Sequence, residues 1–168
     1  MAILGKIRTY IPLWMRQNSL SVAVLTGFAW IMFVGSMLSE YLFNLLPCEL
    51  CLYQRYVHFG IGIAGLLLVR RKDAGALLLL CLLYITSGAL AGYHVGVQEK
   101  IFSMPAQCSR PLRAPSLEVL RTKILDRPAV RCDRPSVLIF GLSFAAYNAL
   151  ISIGLAFFAG IRYRFNGS

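Results

Sequence analysis

Nine residues, Pro47-Cys48-Glu49-Leu50-Cys51-Leu52-Tyr53-Gln54-Arg55, set a Cys-x-x-Cys pair at the seam between two hydrophobic stretches. If the pair opens a helix, Cys48 and Cys51 stand at i and i+3, and Arg55 is four residues beyond Cys51. All three then share one face. Pro47 suits the first turn of such a helix, where its missing N–H costs nothing, and the unpaired amides there favour thiolate over thiol. The stretch predicts a reactive pair beside a cation. Two more cysteines, Cys108 and Cys132, lie in a proline-broken segment, whereas Cys81 sits deep in an apolar run and reads as an inert small hydrophobe. His94 ends the run Gly88-Ala-Leu-Ala-Gly92-Tyr93-His94. It reads as a hydrogen-bonded interfacial imidazole, with proton handling as its functional alternative.

The elements that must position these groups are membrane helices. The chain is 58% hydrophobic and 14% charged over 168 residues, and its apolar residues come in long runs. Residues 20 to 38, 74 to 97 and 136 to 161 each lack charge with His94 neutral, and each can span about 30 Å of hydrocarbon. A fourth run reaches from Leu52 to Val69 provided Arg55 sits at the interface. The spacing therefore predicts an all-α, four-helix transmembrane bundle in one integral membrane domain over 1–168. Its spans fall near 20–46, 52–69, 74–97 and 136–161, with one long extramembrane loop over 98–135.

Basic residues at Lys6, Arg8 and Arg16 precede the first run as they would in a signal peptide, but the run is longer than a typical signal core and lacks a small-x-small cleavage site. It reads as an uncleaved helix. The net charge of +10 sits at span ends and in the long loop, which points to membrane topology and anionic lipid and away from nucleic acid. A raw count of basic residues does not orient the chain. The compact basic N-terminal segment and the Arg70-Arg71-Lys72 turn do, by placing both termini in the cytoplasm and the paired cysteines on the outer, oxidising side.

Smaller features follow the same frame. Trp14 reads as an interfacial anchor, and Glu40 as a solvated carboxylate in the end of the first helix that emerges beyond the hydrocarbon. The run Gly60-Ile-Gly-Ile-Ala-Gly65 reads as a close-packing helix face, and Asn148 as an interhelical hydrogen-bonding group. In the loop, Leu117, Leu120, Ile124 and Leu125 recur near helical spacing, which predicts a short amphipathic helix on the membrane between Cys108 and Cys132.

Four cysteines on one side admit two chemistries. They could bind a structural metal such as zinc, although 23 residues separate Cys108 from Cys132 where a compact second half-site is expected. Alternatively the two pairs are disulfides that exchange with one another, each a two-electron, two-proton couple. Electrons reaching Cys48 and Cys51 then need a lipid-soluble acceptor, and a quinone takes two electrons and two protons. Arg55 could hydrogen-bond a quinone carbonyl and stabilise developing negative charge; its bland role is a snorkelling anchor.

Pro-Cys-x-x-Cys-x-Tyr-x-Arg after a first membrane helix, Gly-Tyr-His at the end of a third, a loop cysteine pair, and Cys-Asp followed by Phe-Gly-Leu-Ser and Asn-Ala-Leu together resemble the DsbB family over about Ser19 to Ile161. The resemblance implies a bacterial inner-membrane quinone reductase, using ubiquinone or menaquinone, that reoxidises a periplasmic thioredoxin-fold dithiol oxidase of the DsbA type. It implies that the partner's thiolate attacks the Cys108–Cys132 disulfide at Cys108, freeing Cys132 to attack Cys48. Cys51 is then released as the thiolate that contacts the quinone. It also implies that Arg55 holds the ring, with His94 close to the quinone and no metal. Gln54 stands where some family members carry Glu, and Glu40 has no counterpart role. The alternatives are a relative serving a dedicated thioredoxin-fold partner and, from another class, a four-cysteine metal-binding membrane module. A vitamin K epoxide reductase-like protein is disfavoured because its motif lies late in the bundle.

Overall fold

A computed structural model describes residues 18–70, 74–109, 116, 118, 130–135 and 137–166. Four helices dominate it: α1 (Asn18–Phe43), α2 (Glu49–Leu68), α3 (Ala74–Gln98) and α4 (Phe144–Asn166). A 3-10 turn (Ala106–Ser109) and a two-stranded antiparallel hairpin, β1 (Leu138–Ile139) with β2 (Leu142–Ser143), occupy the connection between α3 and α4.

By length and apolar composition, Asn18–Phe43, Ala74–Gln98 and Phe144–Phe165 can each cross a membrane. Their outward faces carry large apolar side chains that water would penalise, among them Ile31 on α1 and Phe157 on α4. Such contiguous apolar surface suits lipid.

α1 packs chiefly on α2, and α3 on α4. Val22, Leu25 and Ala29 of α1, Ile61 of α2, Leu77, Leu80 and Tyr84 of α3, and Ala156 and Ala159 of α4 close one core. Tyr84 buries its ring there and donates its hydroxyl to the Leu25 carbonyl at 2.6 Å, so the one polar atom it brings is satisfied. The expected small-residue face on α2 is used in part. A methyl group on Gly62 would come within 2.9 Å of the Trp30 ring, and one on Gly65 would overlap the Thr26 hydroxyl, whereas Gly60 faces open space. Cys81 donates to the Ala156 carbonyl at 3.3 Å within the α3–α4 contact.

Three boundaries differ from the sequence expectation, each for a local reason. α1 stops at Phe43, short of Leu46, because Asn44 takes a left-handed backbone (φ 51°), which Asn tolerates better than most residues. α2 starts at Glu49, so Pro47 stands outside the helix and not in its first turn; Cys48 is the N-cap and its Sγ accepts from the Cys51 amide at 3.4 Å. α4 starts at Phe144, eight residues after the expected 136. Phe140 and Gly141 both have positive φ (48° and 80°), the requirement of a tight hairpin turn, and the Ser143 hydroxyl accepts from the Ala146 amide at 3.2 Å as an N-cap. Among the described residues, the regular structure is thus helical apart from this hairpin. The amphipathic helix expected around Leu117 to Leu125, the Trp14 anchor and the basic turn at 71–73 lie outside the described residues.

Candidate active site

The end of the bundle that carries the cysteines is built from three caps. Cys48 caps α2, as above. α3 ends on Lys100, left-handed at φ 60°, with the Lys100 amide on the Val97 carbonyl and the Ile101 amide on the Gly96 carbonyl. The ring of Phe102 folds back over Gly96, whose missing side chain leaves room for it. Ser143, at the start of α4, also donates to Gln98 Oε1 at 2.6 Å, tying α4 to the last turn of α3.

These caps gather both cysteine pairs. Cys48, Leu50, Val97 and Cys132 form a buried apolar cluster, with Cys51, Cys108 and Met104 packed against it. Cys108 and Cys132 are joined as a disulfide with Cα atoms 5.8 Å apart. Cys132 is 0% exposed, whereas Cys108 is only partly covered. Beside the bond, Arg131 makes a two-point ion pair with Asp133 at 2.8 and 2.9 Å and holds that carboxyl below its ordinary value.

Cys48 and Cys51 are free thiols with sulfurs 2.9 Å apart. The hydrogen bond from Cys48 lowers Cys51 to about 7, with the Arg55 charge acting the same way against burial. The same bond, together with burial, pushes Cys48 well above the usual thiol range. The reduced pair is therefore asymmetric, with Cys51 the more acidic of the two thiols.

Cys51, Gln54, Arg55 and His58, on successive turns of α2, line a cavity of about 640 Å³. Residues of α1 and α4 and the hairpin complete its mostly apolar wall. Arg55 is held from the side of α1: Nη1 on Glu40 Oε2 at 2.6 Å, Nε on Ser36 Oγ at 3.1 Å, and Nη2 on the Ser36 carbonyl at 3.0 Å. Glu40 is accordingly the counter-ion of Arg55 and not the freely solvated carboxylate expected from its position. The guanidinium keeps N–H groups in reserve beyond these three bonds.

His94 is not among the residues of the cavity wall. Its Nε2 lies 3.6 Å from Cys48 Sγ, and its Nδ1 accepts from Gln54 Nε2 at 2.9 Å. Asn148 Nδ2 donates to Gln54 Oε1 at 2.7 Å, and His58 Nε2 meets Asn148 Oδ1 at 2.7 Å. Ser87 and Ser152 extend this buried polar chain. Asn148 thus bonds between helices as its position suggested. Gln54, His58, Ser36 and Glu40 had no comparable role in the sequence reading; Gln54 and His58, polar neighbours of Arg55 in an otherwise apolar helix, were a signal, whereas Ser36 and Glu40 lie 19 and 15 residues away on another helix. Cys48, Cys51 and His94 also bring sulfur and nitrogen atoms within 4.8 Å of one another, a set able to hold a metal. The four-cysteine donor set is not assembled, because Cys108 and Cys132 are bonded to each other.

A multi-pass membrane bundle that caps one helix with a dithiol and packs a disulfide against it defines a class, the membrane thiol–disulfide proteins. Residues 18–161 match the family of disulfide bond formation protein DsbB, and the chain belongs to that family. It is 31% identical over 143 residues to disulfide bond formation protein B of Cupriavidus metallidurans, an alignment covering 81% of this chain and 87% of that one. It is also 30% identical over 129 residues to an uncharacterized Rickettsia prowazekii protein, RP370, covering 74% and 75% respectively. No solved structure matches. Membership makes the chain a disulfide-forming oxidoreductase of the membrane.

Proposed function

We propose that the chain, acting as one integral membrane domain, oxidises a protein dithiol and passes the electron pair to a membrane quinone. The observation that carries this reading is that both cysteine pairs share one apolar cluster while Cys51 alone of the four lies in the cavity wall. A thiolate from a periplasmic, DsbA-like thioredoxin-fold partner attacks the more accessible sulfur, Cys108, and Cys132 leaves as a thiolate. In the oxidised protein Cys48 and Cys51 are themselves disulfide-bonded, the structure showing their reduced form. Cys132 attacks Cys48, the Cys48–Cys51 bond breaks, and Cys51 departs as the better leaving group because its thiol is the more acidic. Resolution of the mixed bonds releases an oxidised partner and leaves Cys48 and Cys51 as the dithiol.

The cavity suits a quinone head: its volume falls within the range of small-molecule sites, its wall is apolar, and Arg55 offers spare donors. When bound, a quinone supplies a two-electron, two-proton sink. With a quinone bound, Cys51 would supply the electron pair as the Cys48–Cys51 disulfide re-forms, Arg55 would orient the ring, and Glu40 with Ser36 keeps Arg55 on the cavity side. His94, beside Cys48, would take the proton that Cys48 gives up, the second proton being drawn from solvent. α2 makes the fourth crossing, the termini are cytoplasmic, and the cysteine end faces the periplasm of the inner membrane. A dedicated thioredoxin-fold partner would use the same chemistry. The disulfide at Cys108–Cys132 removes two thiolates that a four-cysteine metal module needs.

Thiol counting on purified protein tests this. In protein first oxidised with quinone and then freed of it, so that Cys48 and Cys51 are disulfide-bonded, alkylation and mass measurement should find Cys81 free, and four further thiols after a reduced thioredoxin-fold oxidase is added; these should disappear only when quinone is restored. Gly35 lines the cavity and has open space where a side chain would stand, so Gly35→Phe should block reoxidation while sparing exchange at the loop. Four thiols released by a chelator would support the metal module instead.

A further inference from the structure

His58 is buried at 3% exposure on α2, lines the cavity, and has no part in the thiol chemistry. Its Nε2 is engaged by Asn148 Oδ1 at 2.7 Å and by Ser87 at 3.3 Å, whereas its Nδ1 is buried with no hydrogen-bond partner among the described residues. An unmet polar atom in a membrane interior is costly, and such atoms persist where a ligand meets them.

The neighbours determine what kind of atom it is. Asn148 gives its amide N–H to Gln54, so its carbonyl oxygen faces His58 and also accepts from Ser152 at 3.0 Å. A carbonyl oxygen only accepts, so the His58 proton sits on Nε2 and Nδ1 is a bare lone pair. This lone pair repels a carbonyl and attracts a hydroxyl. Arg55, three residues before His58 on the same helix face, presents the opposite character, since it only donates.

We infer that His58 reads the redox state of the ligand, its Nδ1 accepting a hydrogen bond from a ring hydroxyl of the quinol that a quinone carbonyl cannot supply. This rests on the quinone reading above. A cavity with a donor at Arg55 and an acceptor at His58 is matched to a ring with one oxygen held as an acceptor and the other as a hydroxyl. It thereby favours the reduced ring over the oxidised one and draws the electron transfer forward.

The test is equilibrium binding by calorimetry, with decylubiquinone and decylubiquinol titrated separately into purified protein carrying Cys48→Ser and Cys51→Ser, so that no turnover occurs and the cavity wall gains no bulk; in this background the wild type retains His58. The wild type should bind the quinol about tenfold more tightly than the quinone. His58→Phe, which keeps a ring and removes the acceptor, should abolish that preference by weakening quinol alone. His58→Gln, which retains an acceptor, should restore most of it. Equal affinity for both ligands in the wild type overturns the inference while leaving the quinone site intact, and requires no variant to fold. Preference persisting in His58→Phe also overturns it. If neither ligand binds the wild type, the quinone reading itself falls and the inference with it.

Discussion

At the scale of single residues, the site depends on who holds each proton and each charge. Cys51 is acidic because Cys48 donates to it and Arg55 stands close, so its alkylation in the reduced protein should rise with pH through about 7. Arg55→Gln removes a cation that favours the thiolate; the midpoint should move upward, and alkylation at neutral pH should slow, as a rate profile with iodoacetamide would show. An unchanged midpoint would take Arg55 out of the thiolate's environment. Asn148 bonds Gln54, His58 and Ser152 inside the bundle. Interhelical hydrogen bonds in membranes average about 0.6 kcal/mol each, so Asn148→Leu should cost about 1–2 kcal/mol of stability in a detergent-denaturation titration.

At the scale of elements, close approach and caps decide where the groups sit. Gly65 abuts Thr26 across the α1–α2 contact, and Gly60 abuts nothing. Gly65→Ala should therefore destabilise the protein by about 1–3 kcal/mol through overpacking, whereas Gly60→Ala should be neutral or slightly stabilising; equal effects would contradict the packing described. Lys100 holds a left-handed backbone at the end of α3. Glycine adopts that conformation without the side-chain clash, so Lys100→Gly should raise stability by about 0.5–1 kcal/mol in the same assay. The gain would show that the α3 cap, which brings Gln98 to Ser143, is under local strain.

At the scale of the whole molecule, the arrangement demands that both cysteine pairs share one side of the membrane. A fluorescent-protein fusion at the C-terminus should be bright, and an alkaline phosphatase insertion near residue 116 active, in a bacterial host; the reverse pattern would invert the proposed orientation. Helix caps and the loop disulfide meet in one apolar cluster, so cysteines far apart in the chain are brought together, as the proposed exchange requires.

Much of this was legible from residues alone, because membrane helices must satisfy their backbone internally and therefore announce themselves as long apolar runs. The four helices, the Cys-x-x-Cys turn, Arg55 beneath it and Asn148 between helices all follow from local spacing, whereas the Cys108–Cys132 bond, 24 positions apart, came only with the family resemblance. What spacing could not supply was which polar groups meet across helices. Glu40 read as a solvated acid since its partner lies 15 residues away on another helix. The hairpin before α4 escaped because a Phe at positive φ has no compositional signature, and apolar strand and apolar helix look alike over so few residues. Sequence alone determined that the chain carries helices apolar and long enough to cross a membrane and two cysteine pairs between them. Only tertiary packing decided that Cys51 lines the cavity, that His94 lies against Cys48, and that His58 is left with an unmet nitrogen, because side-chain contacts between helices depend on their rotation and not on their composition.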